Sequence, residues 1–365
     1  MTGVRILVVN AGSSSLKLRL LSGDDVLGSA DLPADADGFD SAALGQAIDG
    51  WPEPEVVGHR IVHGGTRFTG ATRITPDVEQ ELRELTTLAP LHQPKSLAGL
   101  DAVAAQLPHV PAVACFDTAF HTSIPPAAAT YAVPAEWRER WGVRRFGFHG
   151  LSHAYASRRA AALVGRPVEQ LRIVTCHLGA GASLCAVVGG RSVDTTMGFT
   201  PLEGLVMATR SGSVDPGLVL WLQEQEHLEA HEVATALEQR SGLLALAGTG
   251  DMREVEAHAR AGDAPARLAL EVYVHRLVAG IAAMAAAAGG LDLLAFTGGV
   301  GEHSASLRAE AARSLGWLGV GVDPSANDAA SGDAVITGRG AQVECVLVTA
   351  REDLQMAGEI SRLLA

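Results

Sequence analysis

Short apolar runs alternate with amphipathic segments along the whole chain. An apolar run ends at Val9, a polar turn of Asn10, Gly12 and three serines follows, and Leu16, Leu18 and Leu20 then alternate with Lys17 and Arg19. Period-two alternation on both sides of a Gly-Ser turn predicts strand, tight turn, strand. The pattern returns near mid-chain. "RILVVNAGSSSLKLRL" from Arg5 overlays "RIVTCHLGAGASLCAV" from Arg172 without a gap, placing Asn10 on His177 and Gly12 on Gly179. So long a period is not that of a solenoid. It predicts two similar domains, each opening on a β-hairpin.

Elsewhere "EVVGHRIVHGG" and "VPAVACFDTAF" read as strands, and "TPDVEQELRELTTLA" and "QPKSLAGLDAVAAQL" as helices, with Pro94 suited to a first turn. "SHAYASRRAAALVG" reads as a helix with Ser152 as N-cap and Gly165 as stop. Residues 264–288 form a long Ala-rich helical stretch, "LDLLAFTGGVGEHSASLRAEAARSLG" a strand, Gly-rich turn and helix, and "AQVECVLVTA" a strand. "REDLQMAGEISRLLA" closes the chain as a helix with Glu352 and Asp353 in its first turn. Strands alternating with helices imply α/β layers on a largely parallel sheet.

Composition narrows the partners. At 365 residues two domains are expected, and 47% apolar residues mark a globular chain. A net charge of −13 argues against general binding of nucleic acid or anionic membrane, so an anionic substrate needs a local cationic site. Cys115, Cys176, Cys185 and Cys345 lie singly in apolar runs without metal spacing, as expected of reduced thiols in a cytoplasmic protein. The N-terminus starts directly on a strand, without a signal-peptide pattern. "LVAGIAAMAAAAGGLDLLAF" is broken by Gly289–Gly290 and Asp292, which suits a buried helix and strand better than a membrane span.

Three Gly-rich turns follow strands: "NAGSSS", "HLGAGAS" and "TGGVGEHS". Turns of Gly and Ser let backbone N–H groups approach phosphate. None fits GxxxxGK[ST] or a dinucleotide GxGxxG unit, and a lone Gly-Ser turn is more often a plain hairpin. Two equivalent hairpins could hold a polyphosphate, with Lys17 as countercharge. Arg60, His63, His92, His121, His149, His153 and Arg210 all fall at strand ends or turns. They suggest a shared anion site, or pairing with Asp101, Asp117 and Asp194. Asp117 and Glu352 stand where open α/β sheets bind ligands, although Glu352 could serve only its helix dipole.

In this order the motifs "NAGSSSLK", "GHRIVHGG", "PLHQP", "FDTAFH", "GFHGLSH", "CHLGAGAS", "TPLEGLVMATRSGSVDP", "SGLLALAG…DMR", "TGGVGEHS" and "REDL" resemble the acetate kinases over nearly the whole chain. The resemblance implies an α/β fold of duplicated ribonuclease H-like (actin-like ATPase) domains with an interdomain ATP cleft that closes to exclude water. The first domain is expected over residues 1–120 with the closing helix 353–365, and the second over 121–352, with a homodimer through the second. The implied activity is reversible, Mg2+-dependent transfer of the ATP γ-phosphoryl group to acetate, with Mn2+ as an alternative metal. By the resemblance, Asp117, His149, Arg210 and Arg60 are catalytic. Arg60 and Arg210 hold the acyl carboxylate and the transferring phosphoryl group, and His149 stabilises the transition state. Lys17, Ser13 and Ser15 meet the ATP phosphates, as does the second turn of His177, Leu178, Gly179, Ala180 and Gly181. Asp251, Met252 and Arg253 meet adenosine, with Gly299, Val300, Gly301, Glu302 and His303. Val62, Leu91, Phe148 and Pro201 form the pocket for the acetate methyl, and Asn10 and Glu352 lie at the metal.

A carboxylate acceptor is already ionised at neutral pH. It needs relief from anion–anion repulsion rather than a general base. Asp117 is therefore expected to orient an arginine or the metal's water shell. The chain departs from the usual pattern at Ala180, Gln93, Ala208, His303, Ala350 and Arg351, and it is shorter before "GHR". These departures touch nucleotide contacts and loops more than the arginines. The alternatives are a propionate or butyrate kinase of the same family, whose pocket differs by one or two methylenes, and a switch ATPase of the Hsp70 or actin kind.

Overall fold

The computed structural model describes residues 3–12, 15–33, 39–89 and 93–365, so Ser13, Leu91 and His92 lie outside the described residues. The chain forms two compact units. Met1–Thr122, Phe148–Tyr155 and Arg351–Ala365 make the first, and Ser123–Gly147 with Ala156–Ala350 make the second. The segment 148–155, the pair Arg351–Glu352 and residues 121–122, expected in the second domain, thus belong to the first. Long-range hydrogen bonds explain the first part of this. The Gly150 N–H donates to the Asp117 carbonyl at 2.8 Å, and His121 Nε2 lies 2.9 Å from the Phe148 carbonyl.

The first unit is built on strands β1 (Arg5–Ala11), β2 (Ser15–Ser22), β3 (Asp25–Pro33), β4 (Val56–Ile61), β5 (Thr72–Arg73) and β6 (Ala112–Phe116). The second is built on β7 (Arg172–Leu178), β8 (Ala182–Val188), β9 (Arg191–Thr195), β10 (Leu293–Thr297), β11 (Ala334–Val335) and β12 (Glu344–Leu347). The sheet orders are β3-β2-β1-β4-β6-β5 and β9-β8-β7-β10-β12-β11. Strand for strand these are one topology: an antiparallel meander, two parallel crossovers, and a short antiparallel edge strand. The duplication is therefore structural.

The gapless overlay slips by one residue after the turn. Ala11 pairs with Leu16 across four intervening residues, and Leu178 pairs with Ala182 across three. Lys17 therefore corresponds to Ser183. With that correction the register break between Leu20 and Leu21 falls on the one between Ala186 and Val187. Two other expectations change. The helix expected from Ser152 begins at Gly150, because the chain turns at His149, whose φ is 55°, and Gly150 bonds back to Asp117. The Gly-rich turn expected at "TGGVGEH" is itself a short helix, Gly298–His303, and the expected helix follows it as Ala305–Ser314. They break at Ser304, whose side chain accepts from the Leu307 N–H.

Side chains of β1 alternate between two cores. Leu7, Val9 and Ala11 join Leu16, Leu18, Leu20 and Val103 on one face, and Ile6 and Val8 join Val113, Met356 and Ile360 on the other. The closing helix Glu352–Leu364 thus packs on the first sheet. The helix Ala264–Ala287 is long and apolar enough to cross a membrane by length and composition. Its Ala269, Tyr273, Leu277 and Ile281 are buried within the second unit.

The contact between the closing helix and β4 is close enough to test. A Cβ on Gly58 would lie 2.3 Å from Ile360 Cδ1. Gly58→Ala is expected to destabilise by about 1–3 kcal/mol through overpacking. Ile360→Val removes that one atom, so the double variant should be more stable than Gly58→Ala alone in urea unfolding. Simple additivity would contradict this packing.

Candidate functional site

In the first unit the parallel strands β1, β4 and β6 end side by side, and their carboxyl ends carry Asn10, Arg60 and Asp117. Such ends are where open α/β sheets place ligands. Asp117 is buried, and Arg60 meets it with two guanidinium nitrogens: Nε donates to Oδ1 at 3.0 Å and Nη2 to Oδ2. Arg60 Nη1 also donates to Asn10 Oδ1 at 3.3 Å, and Asn10 Nδ2 donates to Glu352 Oε2 at 3.0 Å. The closing helix therefore returns Glu352 to the strand ends. Burial alone would lower the Arg60 pKa, but the charges of Asp117 and Glu352 and the hydrogen bond to Asp117 hold it above its ordinary value. Both Asp117 oxygens accept from this fork, which fixes the orientation of the Arg60 guanidinium.

An apolar wall adjoins this cluster in sequence. Val62 follows β4 directly and is 8% exposed, and Phe148 is 1% exposed. The His63 ring meets Phe148 edge-on at 5.5 Å. Burial pushes His63 and His121 down to about 4, so both are neutral at pH 7. A carbonyl can only accept, so His121 Nε2 carries the proton toward Phe148. His149 is half-buried in a left-handed conformation that few non-glycine residues adopt. Its neighbour Gly150 leaves no room for a side chain, since a Cβ there would lie 2.3 Å from the Asp117 carbonyl oxygen.

In the second unit Arg210 donates to the Pro201 carbonyl at 3.2 Å and approaches Met207 Sδ at 3.7 Å. Burial lowers its pKa, partly offset by Glu238. It has no ion pair with a carboxylate among the described residues. A cavity of about 430 Å³ opens nearby in sequence terms, lined by Gly179, Ala180, Asp251, Met252, Arg253, Gly299, Val300 and His303. This size suits a small-molecule ligand. Asp251 caps the helix Met252–Arg260 by accepting from the Arg253 N–H, and the Arg253 guanidinium holds its carboxyl down at about 2.

Not every expected contact residue faces that cavity. Leu178 and Gly301 are buried, and Glu302 Oε1 accepts from the Gly298 and Ala350 N–H groups, joining the turn to the segment before the closing helix. His177 sits in β7 opposite Ser183, and Gly181 gives its carbonyl to Gly179 at 2.9 Å. The Gly12 N–H likewise bonds to the Ser15 carbonyl at 2.8 Å. The N–H groups of Gly12 and Gly179 thus close their own turns. Lys17 is exposed on β2, facing Asn10 on one side and Asp31 on the other. Arg351 binds Asp353 through Nε and Nη2 at 2.9 Å, so its charge is engaged away from Glu352. Sequence reading missed Tyr273, whose buried hydroxyl has no partner and which lines the cavity. Its signal was being the one Tyr, Phe or Trp in the Ala-rich helix.

Known proteins share this architecture. Residues 46–358 match the model of the acetokinase family. The chain is 50% identical to the acetate kinase of Gloeobacter violaceus over 84% of its own length and 76% of that protein. It is 45% identical to the acetate kinase of Leifsonia xyli over 99% of each chain. The crystal structure of Porphyromonas gingivalis acetate kinase superposes with a TM-score of 0.90 at 35% identity, covering 100% of both chains. That of a propionate kinase from Francisella tularensis gives 0.89 at 32% identity, covering 98% of both. With two sheets of one topology and a family match across most of its length, the chain belongs to the acetokinase family.

Proposed function

We infer that the chain is an ATP:acetate phosphotransferase that makes acetyl phosphate and ADP reversibly. The observation that carries this reading is the Arg60 guanidinium, fixed by Asp117 at the strand ends and followed two residues later by the apolar Val62. A cation beside an apolar wall suits a short carboxylic acid, whereas a switch ATPase needs only water as acceptor. Arg60 holds the acyl carboxylate, and Val62 and Phe148 supply the apolar side for the methyl group. Arg210, free of a carboxylate partner among the described residues, is the cation left for the transferring phosphoryl group. His149 donates to that group as charge develops on it. The second unit's cavity takes the nucleoside, with Asp251, Met252, Arg253, Gly299, Val300 and His303 against it, and Lys17 and Ser15 meet phosphate. The acid attacks as its carboxylate, so no proton has to be removed from it.

A divalent cation fits the donors present. Glu352 offers a carboxylate at the strand ends beside Asn10, and no cluster of three acidic, His or Cys ligands exists among the described residues. That is the donor set of Mg2+, which uses one or two carboxylates, substrate phosphates and water rather than a protein cage. Held by Glu352, Mg2+ would neutralise phosphate charge. We also place the enzyme in the cytoplasm, in keeping with four free, buried cysteines. We expect a homodimer in which a second copy covers the exposed Val214, Leu218, Leu220 and Trp221 of the second unit.

Three outcomes test the reading. ADP release from Mg·ATP should depend on acetate and yield a hydroxamate-reactive acyl phosphate, with propionate and butyrate ranked below by kcat/KM. Release independent of any acid would point to a switch ATPase. Asp117→Asn should lower kcat/KM for acetate by about a hundredfold or more, the scale of breaking a buried ion pair. The shape of its pH–rate profile should stay that of the wild type, whereas loss of a basic limb would make Asp117 a proton acceptor. Glu352→Gln should raise the Mg2+ concentration for half-maximal rate by about tenfold, with KM for acetate little changed.

A further inference from the structure

The turn after β4 is pinned by side chains to an unusual degree. Three successive backbone N–H groups give their hydrogen bonds to side-chain acceptors. His63 N–H donates to Gln93 Oε1 at 3.1 Å, Gly64 N–H to Thr118 Oγ1 at 3.0 Å, and Gly65 N–H to His63 Nδ1 at 2.8 Å. Gln93 also donates through Nε2 to the His63 and Leu82 carbonyls, each at 3.3 Å. Its carboxamide therefore pairs with both peptide groups of His63, as a neighbouring strand would. Gln93 is fully buried, and Thr118 is 2% exposed.

The position of this clamp gives it meaning. The turn carries Val62 and His63, and the His63 ring meets Phe148. Thr118 follows Asp117 directly, and Gln93 stands two residues after Leu91 in the chain. One side chain thus ties the Val62 turn to the start of the helix Gln93–Gln106. Van der Waals discrimination against one added methylene is worth only about 1–3 kcal/mol, and it survives only if the wall does not yield. Resting on the acceptor pocket proposed above, we propose that Gln93 is a positioning residue for acid selectivity, holding the Val62–His63 turn rigid so that acetate is preferred over propionate. Asparagine, usual here by resemblance to the family, is one methylene shorter, so the reach of this clamp is a property of this chain.

The test compares Gln93→Met, which keeps length and burial but loses the carboxamide, with Val62→Ala, in the full-length enzyme. The kcat/KM values for acetate and propionate, the KM for MgATP and the melting temperature are measured. Gln93→Met is expected to raise the KM for acetate about fivefold and the propionate-to-acetate kcat/KM ratio about threefold or more, with the KM for MgATP within about twofold. A folded variant whose ratio is unchanged, or in which both acids lose equally, would make the clamp merely structural and overturn the proposal. If Val62→Ala shifts the ratio and Gln93→Met does not, the clamp alone fails. If neither shifts it, the pocket reading fails with it. Should Gln93→Met not fold, Thr118→Val, which removes the Gly64 acceptor, must move the ratio in the same direction, and an unchanged ratio there overturns the proposal.

Discussion

The bidentate pair between Arg60 and Asp117 is the contact on which the first unit's strand ends depend. Burying two charges costs several kcal/mol each before attraction and hydrogen bonding offset it, so such a pair persists only when its geometry is over-determined. Here it is. β4 and β6 deliver the two residues from adjacent parallel strands, Asp117 N–H bonds to the Ile61 carbonyl at 3.0 Å, and Gly150 N–H holds the Asp117 carbonyl. Asn10 and Glu352 extend the network to β1 and to the closing helix. A guanidinium fixed this way presents its charge without reorganising, which is what electrostatic catalysis of phosphoryl transfer requires.

The duplicated topology separates two kinds of chemistry on one scaffold. The first sheet's parallel strands end in Asn10, Arg60 and Asp117. At the equivalent positions the second sheet carries His177, Thr297 and Ala350, with neither an arginine nor a carboxylate among them. The shorter second turn puts Ser183, buried in the sheet, where the first has the exposed Lys17. At Gly298 the φ of 80° and the nearby Leu178 backbone leave no place for a side chain, so the strand passes straight into the short helix that lines the cavity. Unit one keeps charge, and unit two keeps backbone and space.

Much of this was legible from local pattern. Period-two alternation marked β1 and β2, continuous apolar runs marked the parallel strands, and the repeat of the opening hairpin pointed to duplication. Legibility failed where long-range contacts decide. The one-residue slip after the second turn is invisible because "GASLCAV" is apolar in either register. The start of the helix at Gly150 follows from a bond to Asp117, which no local propensity encodes. The same holds for the transfer of residues 148–155 to the first unit. At the site, Arg60, Asp117, Asn10 and Glu352 are brought together as one network. Gln93, Thr118 and Tyr273 were not read as functional, because a glutamine beside a proline, a threonine after a strand and a tyrosine in an apolar helix look like ordinary structure. Glu302, expected at the nucleotide, also has a structural part that its sequence context does not show: its carboxylate joins two backbone segments.

The central proposal is that Asp117 serves the reaction by orienting Arg60. A double-mutant cycle on kcat/KM for acetate tests it most directly, using Arg60→Ala, Asp117→Asn and the two together. If Asp117 serves to orient Arg60, the double variant should be no worse than Arg60→Ala alone, to within about threefold. Losses that multiply would show that Asp117 contributes independently and would contradict the account.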